Sequence, residues 1–188
     1  MPLNSTTTQR PGTDNHLLIQ TLSPAQHSPL LALARRIADC GCNLADARVS
    51  TLGADTSLVL LAQGSWDAVA KLENALTKFT RDTDLHLVHY RTSPRSAQSH
   101  LLPYVVEVIA ADKGGVLAEV IEFFSRRGIS VEQLSSMRYQ AMQTGADMFQ
   151  AQITIGIPAD SHIAALRDDF LELCDSLNLD AIMDPMKY

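Results

Sequence analysis

The chain contains an internal repeat, and this feature restricts its fold more than any other. When the 188-residue sequence is aligned with itself at an offset of 87 positions, residues 16–22 fall on residues 103–109. Both segments are short runs of β-forming character. The apolar pattern continues without a gap to Gly41, which falls on Gly128. Self-similarity at a fixed offset is typical of repeated structural units, so the sequence predicts two copies of one small domain.

Each copy has the same predicted order of elements. In the first copy these are strand 16–22, helix 29–39, strands 43–51 and 56–63, a helix capped by Ser65, and strand 84–91. In the second copy they are strand 103–110, a helix, strands 130–139 and 147–157, a helix capped by Asp160 or Ser161, and strand 179–186. The order βαββαβ is that of the ferredoxin-like split motif. We therefore predict an α+β protein made of two tandem ferredoxin-like two-layer sandwiches.

The apolar spacing also predicts which face of the second helix is buried. One helical face carries residues at intervals of three and four, as an amphipathic helix requires: Trp66, Val69, Leu72, Leu76 and Phe79. In the second copy, Phe149, Ala151, Ile153 and Ile155 alternate with polar residues. A period of two indicates a sheet with one buried and one wetter face.

The domain boundaries follow changes in composition. Residues 1–15 are rich in Thr, Ser, Pro and Asn and are predicted to form a disordered tail. The first domain is expected over 16–92 and the second over 101–188. Between them, residues 93–100 are polar, contain a proline and have no periodicity, which is typical of a linker.

Charge and composition exclude several classes of protein. The net charge is −6, and the 15 Lys and Arg residues are scattered, whereas duplex DNA binding needs a concentrated basic face. We therefore expect no direct nucleic-acid partner. No apolar run approaches the about 18 residues of a membrane span, so no membrane association is expected. Three cysteines form no disulfide framework, and the expected location is the cytoplasm.

The loop at residues 111–117, between the first strand and first helix of the second copy, carries the most chemical information. Gly114 and Gly115 allow close approach of a ligand to the backbone, and free amides at a helix start favour an anion such as a carboxylate. Asp112 suits two roles: it caps the helix in a tight turn, or it accepts from the ammonium group of a ligand. Both interpretations are open on the loop alone.

No constellation of residues indicates an enzyme. Cys40 and Cys42 are two thiols without further ligands at metal-site spacing, so core or turn positions are favoured over a metal or redox site. His86 and His89 are three apart on a predicted strand and point to opposite faces. The chain also lacks a nucleophile elbow, a P-loop and a dinucleotide fingerprint. We expect no catalytic residue, no bound metal and no cofactor.

Two pairs of segments carry a family resemblance. The stretch 112–120, followed by 124–132, resembles the ACT domain pattern, in which an Asp-x-x-Gly-Val-Leu turn precedes a helix. Residues 40–48 and 64–68 are similar to the glycine cleavage system transcriptional repressor family of bacteria. The resemblance implies regulatory ACT-type domains, which commonly pair and bind amino acids at the pair interface.

The resemblance also implies a set of ligand-binding residues. They are Asp112, Lys113, Gly114, Gly115, Val116 and Leu117, with Asn43 or Ser130, the aligned positions that open the second strand of each copy. The first copy has Ala25-Gln26-His27-Ser28 in place of the Asp-Lys-Gly-Gly loop. Two hypotheses follow: one composite site uses the loop of one copy with Asn43 or Ser130, or both sites have decayed and the chain works through protein contacts.

The sequence therefore predicts a non-enzymatic regulatory protein. By resemblance, it senses glycine or a related amino acid and controls glycine cleavage gene expression through a protein partner, a DNA-binding transcription factor. The alternative is a general amino-acid-binding ACT module that regulates a metabolic enzyme in trans. A small ferredoxin-like enzyme is disfavoured because no acid, base or nucleophile is clustered. Exposed sheet faces and edges predict a homo-oligomer.

Overall fold

The structure is a computed structural model that describes residues 15–83, 85–94 and 100–187. The chain separates into two compact units, Met1–Ser96 (unit 1) and Ala97–Tyr188 (unit 2). The predicted tail lies outside the described residues except for Asn15, and so do residues 95–99 of the predicted linker.

Unit 1 is one four-stranded antiparallel sheet with two helices. The elements are β1 (Asn15–Pro24), a 3-10 turn (Ala25–His27), α1 (Leu30–Asp39), β2 (Asn43–Leu52), β3 (Asp55–Gly64), α2 (Trp66–Thr83) and β4 (His86–Thr92). The strand order is β2-β3-β1-β4, so the first strand of the sequence lies inside the sheet and β2 and β4 form the edges.

Unit 2 repeats this topology. Its elements are β5 (Leu101–Ala111), α3 (Val116–Arg126), β6 (Ser130–Gln140), β7 (Asp147–Pro158), α4 (Ile163–Leu177) and β8 (Asp180–Pro185). The strand order is β6-β7-β5-β8. A bulge interrupts the register between Leu44 and Asp46 in β2 and between Val131 and Gln133 in β6. Because the bulge recurs in the second strand of each unit, the repeat seen in the sequence corresponds to two copies of the same fold topology.

Buried and more exposed side chains alternate along the central strands, so each unit has a hydrophobic core between its sheet and its helices. In β7, Ala151, Ile153, Ile155 and Ile157 are buried on the helix face, as the period of two predicted. They meet Phe124 of α3 and Phe170 of α4, whose ring centroids lie 5.1 Å apart. Within the described parts of the chain, every helix is too short or too polar to cross a lipid bilayer.

The start of α2 shows one confirmed and one wrong prediction. Ser65 caps the helix, because its Oγ accepts from the Ala68 N–H at 3.2 Å. The apolar spacing predicts Trp66 in the buried stripe with Val69, but Trp66 is 62% exposed. A helical side chain leans over the turn that precedes it, and no turn of α2 precedes its first residue. The guanidinium of Arg91 lies 5.5 Å from the centroid of the Trp66 ring.

The start of α4 corrects a second prediction. Neither Asp160 nor Ser161 caps the helix. The cap is His162, whose Nδ1 accepts from the Ala165 N–H at 3.3 Å. Ser161 instead closes a turn after β7, because its N–H donates to the carbonyl of Pro158 at 2.9 Å.

Candidate functional site

A pocket of about 370 Å³ lies in unit 2 beside the start of α3. All six loop residues of the predicted site line it, together with one segment of β6 and the aromatic ring opposite: Asp112, Lys113, Gly114, Gly115, Val116, Leu117, Ser136, Met137, Arg138 and Phe149. We refer to this cavity as the loop pocket. Its volume lies in the range of small-molecule sites.

The loop leaves the α3 amides free of side-chain caps. Gly115 precedes the helix with a φ of 92°, and among the described residues α3 has no side-chain cap at its start. The interpretation of Asp112 as a helix cap is therefore wrong. Asp112 is instead fixed to β7, because its N–H donates to the Asp147 carbonyl at 2.9 Å. Amides at a helix start carry a partial positive charge and favour an anion.

The Asp112 carboxylate forms an ion pair across the loop pocket. Its Oδ1 lies 3.1 Å from Nε of Arg138, which projects from β6. The Asp112 side chain is 22% exposed and that of Arg138 is 73% exposed. An exposed pair of this kind contributes little to stability, so it opens at small cost. One pocket thus combines a carboxylate, a guanidinium and uncapped amides, which are the groups that bind the two charges of an amino acid.

The remaining loop residues differ in exposure. Lys113 and Gly114 are exposed, Val116 is buried in the core, and Leu117 is half-buried. The loop is therefore anchored by Val116 and is open to ligand approach at Gly114.

Ser130 and Asn43 do not join this arrangement within either unit. Ser130 begins β6 beside Gly156, whereas Arg138 lies near the other end of that strand beside Phe149. The Ser130 hydroxyl donates to Glu132 Oε1 at 2.6 Å. Asn43 is an exposed residue at the start of β2 in unit 1. Because Asn43 and the loop belong to different units, the composite site stays a prediction.

The corresponding loop of unit 1 has a different structure. The segment that replaces the Asp-Lys-Gly-Gly loop forms a 3-10 turn, Ala25–His27, and the Ala25 N–H donates to the Ala54 carbonyl at 2.9 Å. It has neither a glycine nor a carboxylate. The loop of unit 1 therefore does not reproduce the chemistry of the loop pocket.

Arg138 was not found from the sequence. It lies opposite Phe149 across the β6–β7 ladder, and β5 delivers Asp112 to the same end of the sheet. An exact strand register would have placed it there. Sequence periodicity alone leaves strand ends uncertain by a few residues.

Comparisons with known proteins agree with this architecture. The ACT domain family model matches residues 15–90. The glycine cleavage system transcriptional repressor of Escherichia coli (strain K12) is 26% identical over 174 residues, which are 93% of this chain and 92% of the relative. The repressor of the same name from Shigella flexneri matches with the same identity and coverage.

Two solved structures share the fold over nearly the whole chain. A candidate glycine cleavage system transcriptional repressor superimposes with a TM-score of 0.66 at 24% identity, covering 93% of this chain and 99% of that one. An unknown protein from Galdieria sulphuraria superimposes with a TM-score of 0.74 at 13% identity and the same coverage. The predicted fold class is confirmed. Residues 15–90 thus match the ACT domain family, and the chain as a whole is similar in sequence to the glycine cleavage system transcriptional repressors.

Proposed function

We propose that this protein is a non-enzymatic cytoplasmic regulator that senses an amino acid, glycine in the first instance, in the loop pocket. It controls glycine cleavage gene expression through a protein partner. The observation that supports this most directly is the Asp112–Arg138 pair beside the uncapped start of α3. The relatives named as repressors of the glycine cleavage system supply the physiological context.

In the proposed complex each charge of the amino acid has a partner. The ligand ammonium binds the Asp112 carboxylate. The ligand carboxylate binds the free amides of Val116 and Leu117 and the guanidinium of Arg138. Charge-assisted hydrogen bonds of this type are stronger than neutral ones. Arg138 then has to share or release the Asp112 carboxylate. Because the Arg138 side chain is exposed, this movement costs little free energy.

Calorimetric titration of the full chain with glycine tests the site. We expect binding that Asp112→Asn weakens at least tenfold, because the ammonium loses its counter-ion. Arg138→Gln weakens glycine binding about fivefold but not the binding of methylamine, which has no carboxylate. Asp169→Asn is the matched control, since that aspartate also pairs with an arginine, Arg127, at 3.2 Å. Absence of binding at millimolar glycine contradicts the proposal.

The net charge of −6 favours a protein partner over direct DNA binding. We propose that the partner is a DNA-binding transcription factor. Affinity purification with the full chain as bait, with and without glycine, is expected to recover such a regulator in amounts that depend on glycine and on Asp112. A salt-dependent mobility shift of promoter DNA by the purified chain alone would show that no protein partner is needed.

One observation favours a second candidate function. The loop pocket, at about 370 Å³ and with Phe149 in its wall, is larger than glycine requires. A general amino-acid-binding module that regulates a metabolic enzyme in trans would use this space. A thermal-shift panel of all amino acids separates the two functions. Stabilisation by a branched-chain or aromatic amino acid but not by glycine supports the second.

A further inference from the structure

We propose that the outer face of the unit 1 sheet, which points away from the helices, is the contact surface for a second copy of this chain. In the proposed dimer the two sheets stack face to face. Six apolar side chains form the centre of the surface: Leu18, Leu22, Val59, Leu61, Val88 and Tyr90. We call this surface the unit 1 face.

The strand register joins these side chains into one continuous surface. Leu18 of β1 pairs with Leu61 of β3 on one side and with Tyr90 of β4 on the other. Val59 and Val88 lie in the next row of the same face. Paired side chains on one face lie about 5 Å apart, and Val88 and Tyr90 are 60% and 56% exposed. A continuous exposed apolar patch of this kind is typical of an interaction site.

The matching rows of unit 2 are polar. At the offset of the repeat, Val105 takes the place of Leu18, and it lies between Thr154 and Asp184. In the next row, Glu107 accepts a hydrogen bond of 2.9 Å from a side chain of β7. A sheet of this topology can therefore face water with polar side chains. The apolar character of the unit 1 face is not required by the fold, which leaves a binding role to explain it.

The charges on the two faces favour a second copy as the occupant. On β2, the unit 1 face carries Asp46 and Arg48, which form an ion pair with each other, so their charges cancel. The matching rows of unit 2 carry three carboxylates, those of Glu107, Asp180 and Asp184. In a dimer with two-fold symmetry, the same surface meets itself, and like charges oppose the contact. Although the whole chain has a net charge of −6, the unit 1 face can meet its own copy without that repulsion.

The size of the unit 1 face suits a reversible dimer. Four strands about 4.8 Å apart and seven residue pairs along β1 at about 3.4 Å each give an area on the order of 450 Å². Stacking covers this area on both copies, and protruding side chains add to the surface that is buried. Specific interfaces begin at about 1,200 Å² in total, so we expect a dissociation constant on the order of 10 μM. Stacking leaves the strand edges free and is independent of any pairing along β2.

Val88→Asp in the full chain tests the unit 1 face. We expect it to weaken self-association at least tenfold, because it places an unpaired carboxylate in the contact. Ile182→Asp is the matched control, since Ile182 lies on the outer face of the edge strand β8 and is 53% exposed. We expect this variant to associate like the unsubstituted chain. Sedimentation velocity over a concentration series measures both. An unsubstituted chain that stays monomeric at about 200 μM, or equal effects of the two substitutions, overturns the proposal.

Opposite charges at Gln20 test the two-fold contact without altering an apolar side chain. Gln20 is exposed on the inner strand β1, near the centre of the unit 1 face. A two-fold axis through that centre brings the two copies of Gln20 close together. Gln20→Glu and Gln20→Lys are each expected to weaken self-association, because like charges then meet. An equimolar mixture of the two variants is expected to associate about fivefold more tightly than either alone. If the mixture associates no more tightly than the separate variants, the face does not meet its own copy and the proposal is wrong.

Discussion

Gly114 and Gly115 follow each other in the loop before α3, but they place different demands on the backbone. Gly115 has a φ of 92°, a left-handed conformation that side chains with a Cβ disfavour. Gly114 is not among the glycines with positive φ. A Cβ added at either position meets no atom within 4 Å. Substitution at Gly115 therefore tests the effect of backbone strain, and substitution at Gly114 serves as a comparison without a positive φ; neither added Cβ causes a steric clash.

Gly115→Ala is expected to lower the free energy of unfolding by about 1–2 kcal/mol, because alanine is strained at this φ. Gly114→Ala is the matched control and is expected to change stability by less than about 0.5 kcal/mol. Urea denaturation of the full chain measures both. Equal losses in the two variants would show that the φ of Gly115 does not limit stability.

The cysteines illustrate burial at the residue scale. Burial raises the pKa of Cys174 to about 11, with a smaller contribution from the neighbouring Asp175 carboxylate. Burial also raises the pKa of Cys42, and Cys40 adds to the effect. Both groups therefore remain neutral thiols near pH 7, as expected of small apolar core residues.

At the scale of elements, one ion pair ties α2 to the edge strand β4. The Arg91 guanidinium donates from Nε to Glu73 Oε1 at 3.0 Å and from its terminal nitrogen to Oε2 at 2.9 Å. This hydrogen bonding lowers the pKa of Glu73, against an opposing effect of burial. A lowered carboxyl pKa means that the pair stabilises the fold above the ordinary value of 4.5 and that this stability is lost as pH falls below it.

Glu73→Gln is expected to lower Tm by about 2–4 °C at pH 7 and to match the unsubstituted chain more closely at pH 3. The amide of the introduced glutamine does not ionise, so it cannot provide the pH-dependent part of the stabilisation. Glu122→Gln is the control, because Glu122 forms an exposed ion pair with Arg126, which lies one turn later on the same helix, α3. Thermal unfolding followed by circular dichroism from pH 3 to 7 measures the effect. A constant difference between Glu73→Gln and the unsubstituted chain over this range would contradict it.

At the scale of the whole molecule, the sheet edges bear on assembly. All ten residues of β2 are exposed, including Val49 and Leu52, and an uncovered edge strand presents backbone groups for pairing with another chain. The homo-oligomer expected from the sequence therefore stays a prediction with a defined surface to test.

Val49→Lys is expected to weaken self-association at least tenfold, because a charge on an edge strand opposes strand pairing. Thr77→Lys introduces the same side chain on the exposed face of α2 and serves as the control. Light scattering over a concentration series gives the molecular mass. A monomeric unsubstituted chain, or equal association of both variants, would rule out β2 as the interface.

The sequence by itself determined the repeat, the order of elements, the buried face of β7 and the position of the glycine-containing loop before α3. These features depend on hydrophobic periods of two and 3.6 residues and on local turn chemistry. Both are visible within one contiguous segment, without knowledge of what the segment packs against. The ACT resemblance could be found for the same reason, because the pattern around residues 112–120 is contiguous.

Only the tertiary structure decided which distant side chains meet. The pairing of Asp112 with Arg138 depends on the register of three strands, and a shift of one residue would turn Arg138 to the other face of the sheet. The Ser23 and Thr21 hydroxyls are buried without a hydrogen-bond partner among the described residues, and this too depends on the packed environment rather than on local sequence. Local periodicity carries no information on such contacts, because they join segments that are far apart in the chain.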